Sequence, residues 1–151
     1  MKRKKCLAAL TAAGVISAMA LGMAVTSYAA DGWTKTNDHW TYINQGKTHT
    51  GWLQTSEGYY YMDLSTGYMT TGFKQIDGKW YFFRPGGLMA KGWINPEYGK
   101  WYYMLEDGTM VTGWLRIGDD YYFMRGDGSM GTGWREMDGA WYYFQENGKC
   151  V

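Results

Sequence analysis

A glycine followed by a large aromatic ring recurs along this chain at Gly32-Trp33, Gly51-Trp52, Gly72-Phe73, Gly92-Trp93, Gly113-Trp114 and Gly133-Trp134. Successive pairs lie 19, 21, 20, 21 and 20 residues apart. A second ring follows each pair at Trp40, Tyr59, Trp80, Trp101, Tyr121 and Trp141, seven residues after the first ring except in the fourth unit, where it is eight. Three residues before the next pair stands a methionine, at Met69, Met89, Met110 and Met130, with Thr48 in that slot of the first unit and Cys150 in that of the last. Self-similarity at such a period predicts a stack of units, each too small to bury its own apolar faces. The six units fill residues 30–151, which leaves no stretch of the roughly 50 residues that a separate catalytic domain needs.

Residues 1–29 read differently. "MKRKK" is a basic start, "CLAALTAAGVISAMALGMAV" an apolar run and "TSYAA" a small-residue cleavage pattern, so this segment is expected to be a secretory signal peptide. The competing reading is a retained anchor, since an apolar run of about 20 residues can span a bilayer. The signal peptide implies secretion, with membrane contact only through that segment. The whole chain has 15 Lys+Arg and 14 Asp+Glu, and four of the basic residues lie in this leader. The remaining 11 against 14 give a formal charge of −3 with no basic run, which argues against a nucleic-acid partner. Cys150 is the one cysteine outside the leader, so no internal disulfide is available. It reads as a cysteine in the methionine slot or, alternatively, as an intermolecular bridge.

Each unit reads as a β-hairpin. Asp77-Gly78 and Asp138-Gly139 sit between β-prone runs and predict two-residue type I′ turns. Counting outward from Asp138-Gly139 pairs Met137 with Ala140, Glu136 with Trp141, Arg135 with Tyr142 and Trp134 with Tyr143. Alternation then collects Trp134, Trp141 and Tyr143 on one face, and Met137, Tyr142 and Phe144 on the other. The third unit likewise groups Phe73, Trp80 and Phe82 against Ile76, Tyr81 and Phe83. The fourth unit carries an extra residue near Pro96 and Tyr98, which predicts a local irregularity. The expected class is all-β, a repeat solenoid of stacked β-hairpins, with one ring-dominated face for ligand and one mixed face for packing.

"TGWREMDGAWYYFQENGK" and "TGFKQIDGKWYFFRPGGLM" resemble the cell-wall-binding repeats of Gram-positive surface proteins, also called choline-binding repeats. The glucan-binding repeats of streptococcal glucosyltransferases and the receptor-binding repeats of clostridial toxins belong to the same superfamily. The resemblance covers all six units. It implies a hairpin superhelix with ligand in the groove between consecutive hairpins, held by the Gly-Trp ring, the second ring and an aromatic of the next hairpin. On that pattern Trp33 and Trp40 are closed by Tyr61, and Trp52 goes with Tyr59. Phe73 and Trp80 are closed by Tyr103, Trp93 and Trp101 by the Tyr122-Phe123 region, and Trp114 and Tyr121 by Tyr143. Met110 and the other slot methionines lie beside the ligand. Trp134 and Trp141 form an open end or a contact for a second copy. Such rings suit a quaternary ammonium, which donates no hydrogen bond and is held by hydrophobic and cation–π contact.

The remaining motifs carry less. Asp107, Asp119, Asp120, Asp127 and Asp138 lack the alternating spacing of a calcium loop and read as turn residues. His39 and His49, the two histidines, have no partners at zinc spacing and read as surface residues. Neither a carboxylate pair in a cleft nor a nucleophile–base arrangement is legible, so no catalytic residue, metal or cofactor is expected. The expectation is a secreted, non-catalytic protein attached to choline-bearing teichoic acid or a related wall glycan. The alternative is a structural or adhesive surface protein that binds glucan or host glycan or self-associates, its aromatics mainly structural.

Overall fold

The structure is a computed structural model, and it describes residues 30–151. The leader reading of residues 1–29 lies outside them. The described residues hold no helix, and none is therefore long and apolar enough to cross a membrane. The first hairpin joins β1 (Gly32–Thr36) to β2 (His39–Asn44), with the short β3 (Lys47–Thr48) added on the β2 edge. Five two-stranded hairpins follow: β4 (Gly51–Gln54) with β5 (Tyr59–Met62), β6 (Gly72–Ile76) with β7 (Lys79–Phe83), β8 (Gly92–Glu97) with β9 (Lys100–Met104), β10 (Gly113–Ile117) with β11 (Asp120–Met124), and β12 (Gly133–Met137) with β13 (Ala140–Phe144). The all-β hairpin repeat expected from the sequence is the fold of the chain.

Local chemistry explains each hairpin. Asp77 and Gly78 take φ of 49° and 78°, and Asp138 and Gly139 take 52° and 78°, the paired positive values that a type I′ turn requires. The last hairpin pairs Met137↔Ala140, Glu136↔Trp141, Arg135↔Tyr142 and Trp134↔Tyr143, the register counted from its turn. The third pairs Phe73↔Phe82 and Lys74↔Tyr81. In the fourth, pairing shifts between Ile94 and Glu97, so the extra residue is absorbed as a bulge. Because the bulge lies beyond Trp93↔Tyr103, the rings keep their face.

A lone two-stranded hairpin is at best marginal in water, so the stack supplies the stability. One face of each hairpin, here the front, packs on the opposite or back face of the next. Tyr42 of the first hairpin meets Leu53, Tyr60 and Met62 of the second. Tyr61 of the second meets Ile76 and Phe83 of the third, and Phe73 and Phe82 of the third meet Ile94, Tyr102 and Met104 of the fourth. Trp93 and Tyr103 then meet Leu115, Tyr122 and Met124 of the fifth. The core is thus a column of thin layers, with Met62, Phe83, Met104, Met124 and Phe144 fully enclosed.

The slot residues tie the layers together. Met69 donates its backbone N–H to the Trp40 carbonyl at 2.7 Å, and Met89, Met110 and Met130 do the same to Tyr59, Trp80 and Trp101 at 2.7–2.8 Å. Cys150 completes the series on Tyr121 at 2.8 Å, so the cysteine occupies the methionine slot. Each methionine side chain rests on a turn glycine of the following unit. At Gly128, with φ of 80°, an added Cβ would overlap Met110 Sδ. The turns that lead into the slots are pinned by their acids. Asp127 Oδ1 accepts the Ser129 hydroxyl and N–H at 2.6 and 2.9 Å. Asp63 Oδ1 accepts the N–H and hydroxyl groups of Ser65 and Thr66, while Oδ2 accepts Lys74 Nζ at 3.1 Å.

Two outcomes test this construction. Gly128→Ala is expected to destabilise the protein by about 1–3 kcal/mol, through backbone strain and displacement of Met110, measured by urea unfolding. The hydrogen bond from Ser65, then those from Lys74 and Thr66, hold the Asp63 carboxyl well below its usual range. Its stabilising contribution is therefore complete above the unfolded carboxylate value near 4 and fades as pH falls through the lower folded value. Asp63→Asn should lower Tm at pH 7, and the gap from wild type should narrow in thermal melts below roughly pH 4.

Candidate ligand-binding grooves

Front-to-back stacking leaves a groove beside each of the first four pairs of layers, open to solvent along the second ring. The first contains Trp33, Trp40, Tyr60 and Met69; the second Trp52, Tyr59, Tyr81 and Met89; the third Phe73, Trp80, Tyr102 and Met110; the fourth Trp93, Trp101, Tyr122 and Met130. Their volumes are about 370, 410, 300 and 510 Å³ in that order. Within a hairpin the two rings stand nearly perpendicular, with centroids 6.4 Å apart in Trp33–Trp40, Trp52–Tyr59 and Trp93–Trp101. The third wall sits edge to face against the first ring: Trp33–Tyr60 at 4.9 Å, Trp52–Tyr81 at 5.0 Å, Phe73–Tyr102 at 4.9 Å and Trp93–Tyr122 at 5.1 Å. Edge-to-face pairs of this kind contribute about 0.5–1.5 kcal/mol beyond the area they bury, so the cage walls also hold the layers in place.

The third walls differ from those expected. Tyr60 closes the first groove instead of Tyr61 and Tyr102 the third instead of Tyr103, and at the fifth hairpin it is Tyr142, 5.1 Å from Trp114, that meets the first ring instead of Tyr143. In the fourth, Tyr122 is the member of the Tyr122-Phe123 region that faces Trp93. The reason is the stacking order. Tyr61, Tyr103 and Tyr143 share a front face with Trp52, Trp93 and Trp134 of their own hairpins, at 5.3, 5.1 and 5.1 Å. The preceding hairpin, whose rings need the third wall, meets only the back face, where the middle tyrosine points. The supposed packing face therefore supplies one of the three rings of each groove.

The slot methionine closes one side of each groove, and the turn two hairpins further on forms the rim. That rim is Pro85-Gly86 in the first groove and Glu106-Asp107 in the second. It is Gly126-Asp127 with Glu97 in the third, and Glu146-Asn147 with Lys149 in the fourth. These rim residues escaped the sequence reading, which took Asp107 and Asp127 for turn acids. They are turn acids, and they also face a groove. Thr109 and Ser129 respectively hydrogen-bond them, chiefly through the hydroxyls, and hold both carboxyls below the usual range. Burial, first of all, raises the phenols of Tyr60, Tyr81 and Tyr102, so these walls stay neutral. The second and third grooves are thus neutral aromatic cages with an ionised aspartate at the mouth, Asp107 in one and Asp127 in the other, and Lys91 also lines the second. Such a site favours a compact, poorly hydrated cation.

The junction of the fifth and sixth hairpins departs from the rest. Trp114, Tyr121 and Tyr142 supply rings, Cys150 replaces methionine, and the Arg116 guanidinium carbon lies 5.5 Å from the Tyr121 centroid. On the sixth hairpin Trp134 and Trp141 are 66% and 64% exposed, against 37–44% for Trp33, Trp40, Trp52, Trp80, Trp101 and Trp114. His39 is exposed and stacks on Tyr68 at 4.1 Å, while half-buried His49 donates to the Trp52 carbonyl at 2.9 Å. Among the described residues no group of three or more His, Cys, Asp or Glu side chains is placed to hold a metal ion.

Comparison with known proteins agrees with this geometry. The profile of the choline-binding repeat matches residues 70–112, and that of the cell wall binding repeat matches residues 50–69, 112–130 and 132–150. CbpJ from Streptococcus pneumoniae is similar at a TM-score of 0.77 and 34% identity, over 81% of this chain and 46% of that one. Choline-binding protein F from the same organism, solved in the presence of a tetrasaccharide-pentapeptide peptidoglycan analogue, gives a TM-score of 0.75 at 39% identity, over 81% and 41%. The pneumococcal cell wall endolysin from phage Cp-1, complexed with choline, gives 0.57 at 31% identity, over 81% and 37%. The chain spans less than half the length of each of these structures. A comparison with curated proteins yields no match. The second, third and fourth grooves, each closed by the next hairpin's tyrosine and a slot methionine, fall within residues 50–150 where these profiles match, and the chain belongs to the choline-binding repeat family of cell-wall-binding proteins.

Proposed function

We propose that this protein is exported, carries no catalytic activity in its described residues, and attaches non-covalently to choline-bearing teichoic acid through the aromatic grooves. The carrying observation is the repeated conjunction of two rings, a tyrosine wall and a methionine, with carboxylates at three of the four mouths. A quaternary ammonium fits because the cage asks for no hydrogen-bond donor, and each cation–π contact contributes about 0.5–2 kcal/mol depending on desolvation. One groove is then a weak site. Several grooves along one polymer bind far more tightly, since each later attachment is intramolecular. The neighbouring structures named for choline and for a peptidoglycan analogue support a wall ligand.

A second reading concerns the sixth hairpin, whose Trp134 and Trp141 present an exposed ring face. A second copy covering that face would make a homodimer, and sedimentation with and without choline and reductant distinguishes a ligand-linked pair from a Cys150-linked one.

The test of the main reading is titration with choline, followed by calorimetry and Trp fluorescence. Trp101 is 43% exposed and bounds the fourth groove. Trp101→Ala should leave the fold intact by circular dichroism and remove one binding step. Unchanged stoichiometry, or no choline binding by the wild type, would overturn the reading.

A further inference from the structure

Beside the bulged fourth hairpin lies a cavity of about 410 Å³ that is not one of the aromatic grooves. Arg84, Pro85, Trp93, Asn95, Pro96 and Trp101 are among the residues that line it. Its position is the first clue. Pro85 also lines the first groove, while Trp93 and Trp101 also line the fourth. The cavity therefore shares a wall residue with the first groove and two with the fourth, grooves that are three hairpins apart in sequence. A polymer that placed one cationic group in each would pass its backbone across this surface.

Charge is the second clue. The mouths of the second, third and fourth grooves carry Glu106, Asp107, Glu97, Asp127 and Glu146, with Lys91 at the second and Lys149 at the fourth. The cavity beside the fourth hairpin has no carboxylate in its lining, and Arg84 is its one charged side chain. Arg84 is exposed, and among the described residues no carboxylate lies within ion-pairing distance of it. A guanidinium in this state presents a planar fork suited to two oxygens of a phosphate.

The walls supply the third clue. The chain's two prolines, Pro85 and Pro96, both line this cavity and give rigid apolar surfaces. Asn95 is oriented by its own hairpin, donating Nδ2 to the Lys100 carbonyl at 2.8 Å, which leaves Oδ1 as an acceptor for a hydroxyl. The bulge between Ile94 and Glu97 that places Asn95 and Pro96 here occurs in the fourth hairpin alone among the six.

We propose that this cavity is a subsite for the anionic sugar-phosphate backbone of a polymer, with a phosphodiester on Arg84 and a sugar against Pro85, Pro96 and Asn95. The polymer is the one whose choline groups enter the first and fourth grooves, so the proposal rests on the reading of those grooves given above. The grooves would select the substituent, and this cavity the backbone that carries it.

Arg84 lies outside the aromatic cages, which separates the two ideas experimentally. The purified protein and its Arg84→Gln and Arg84→Lys variants would be titrated with choline chloride, with choline-substituted teichoic acid and with a choline-free glycerol-phosphate polymer. Arg84→Gln should bind choline with wild-type stoichiometry and affinity. It should bind the choline-substituted polymer about fivefold to tenfold more weakly at low salt, the loss of one charge-assisted contact. The difference should close as salt approaches about 1 M, and Arg84→Lys should recover part of it. Equal polymer affinity and equal salt dependence in wild type and Arg84→Gln would overturn the subsite and leave the choline reading standing. Absence of choline binding in the wild type would overturn the groove reading, while weak binding of the choline-free polymer that vanishes in Arg84→Gln would still support the cavity. An equal effect of Arg84→Gln on a phosphate-free, carboxylated glycan would overturn the assignment to phosphate.

Discussion

The hydrogen bond from each slot residue to the carbonyl of the second ring one hairpin back fixes everything that follows in this molecule. It is a single backbone contact of 2.7–2.8 Å, made at Met69, Met89, Met110, Met130 and Cys150. Because it is made by the main chain, it tolerates methionine or cysteine at the slot. Because its acceptor lies on the groove's second ring, it sets that ring's height relative to the next layer. The same contact brings the methionine side chain alongside the two rings and seats it on a turn glycine. Pitch, layer register and groove shape thus have one common origin.

A consequence is that stability and binding are not carried by separate residues. Trp33, Trp52, Phe73 and Trp93 each touch the tyrosine of the next hairpin, and those contacts are both interlayer packing and cage wall. The second rings differ: Trp40, Tyr59 and Trp101 make their ring contacts only with the first ring of their own hairpin, so they border the groove without tying it to the next layer. The turn acids combine two roles in another way. Asp107 and Asp127 hold their turns through Thr109 and Ser129 and present charge to a groove mouth.

Much of this was legible in the residues. The Asp138-Gly139 turn sets the pairing of the last hairpin residue by residue, because a two-residue turn with alternating faces leaves no freedom of register. The eight-residue spacing from Trp93 to Trp101 marks the bulge. The third walls were not legible, for a physical reason. Alternation says which residues of a hairpin share a face, but not which face of the neighbour they will meet. That is decided by the slot hydrogen bond, which has no side-chain signature. The rim residues were hidden for a related reason: Asp127 faces rings at Phe73 and Trp80, more than forty positions earlier, and the distance closes only once the chain has wound past two further layers.

No groove belongs to one repeat. The first draws its rings from the first hairpin, its wall and methionine from the second and its rim from the third, and the others follow the same rule. Inheritance works differently on such a design than on a string of autonomous modules. Duplicating any twenty-residue unit in phase creates a new complete site, since each copy finishes the cage of the one before and opens its own. A damaged unit, by contrast, spoils its own groove and the two upstream that borrow from it. Lineages built this way gain sites by copying and lose them in blocks, which favours uniform repeat length over uniform repeat sequence.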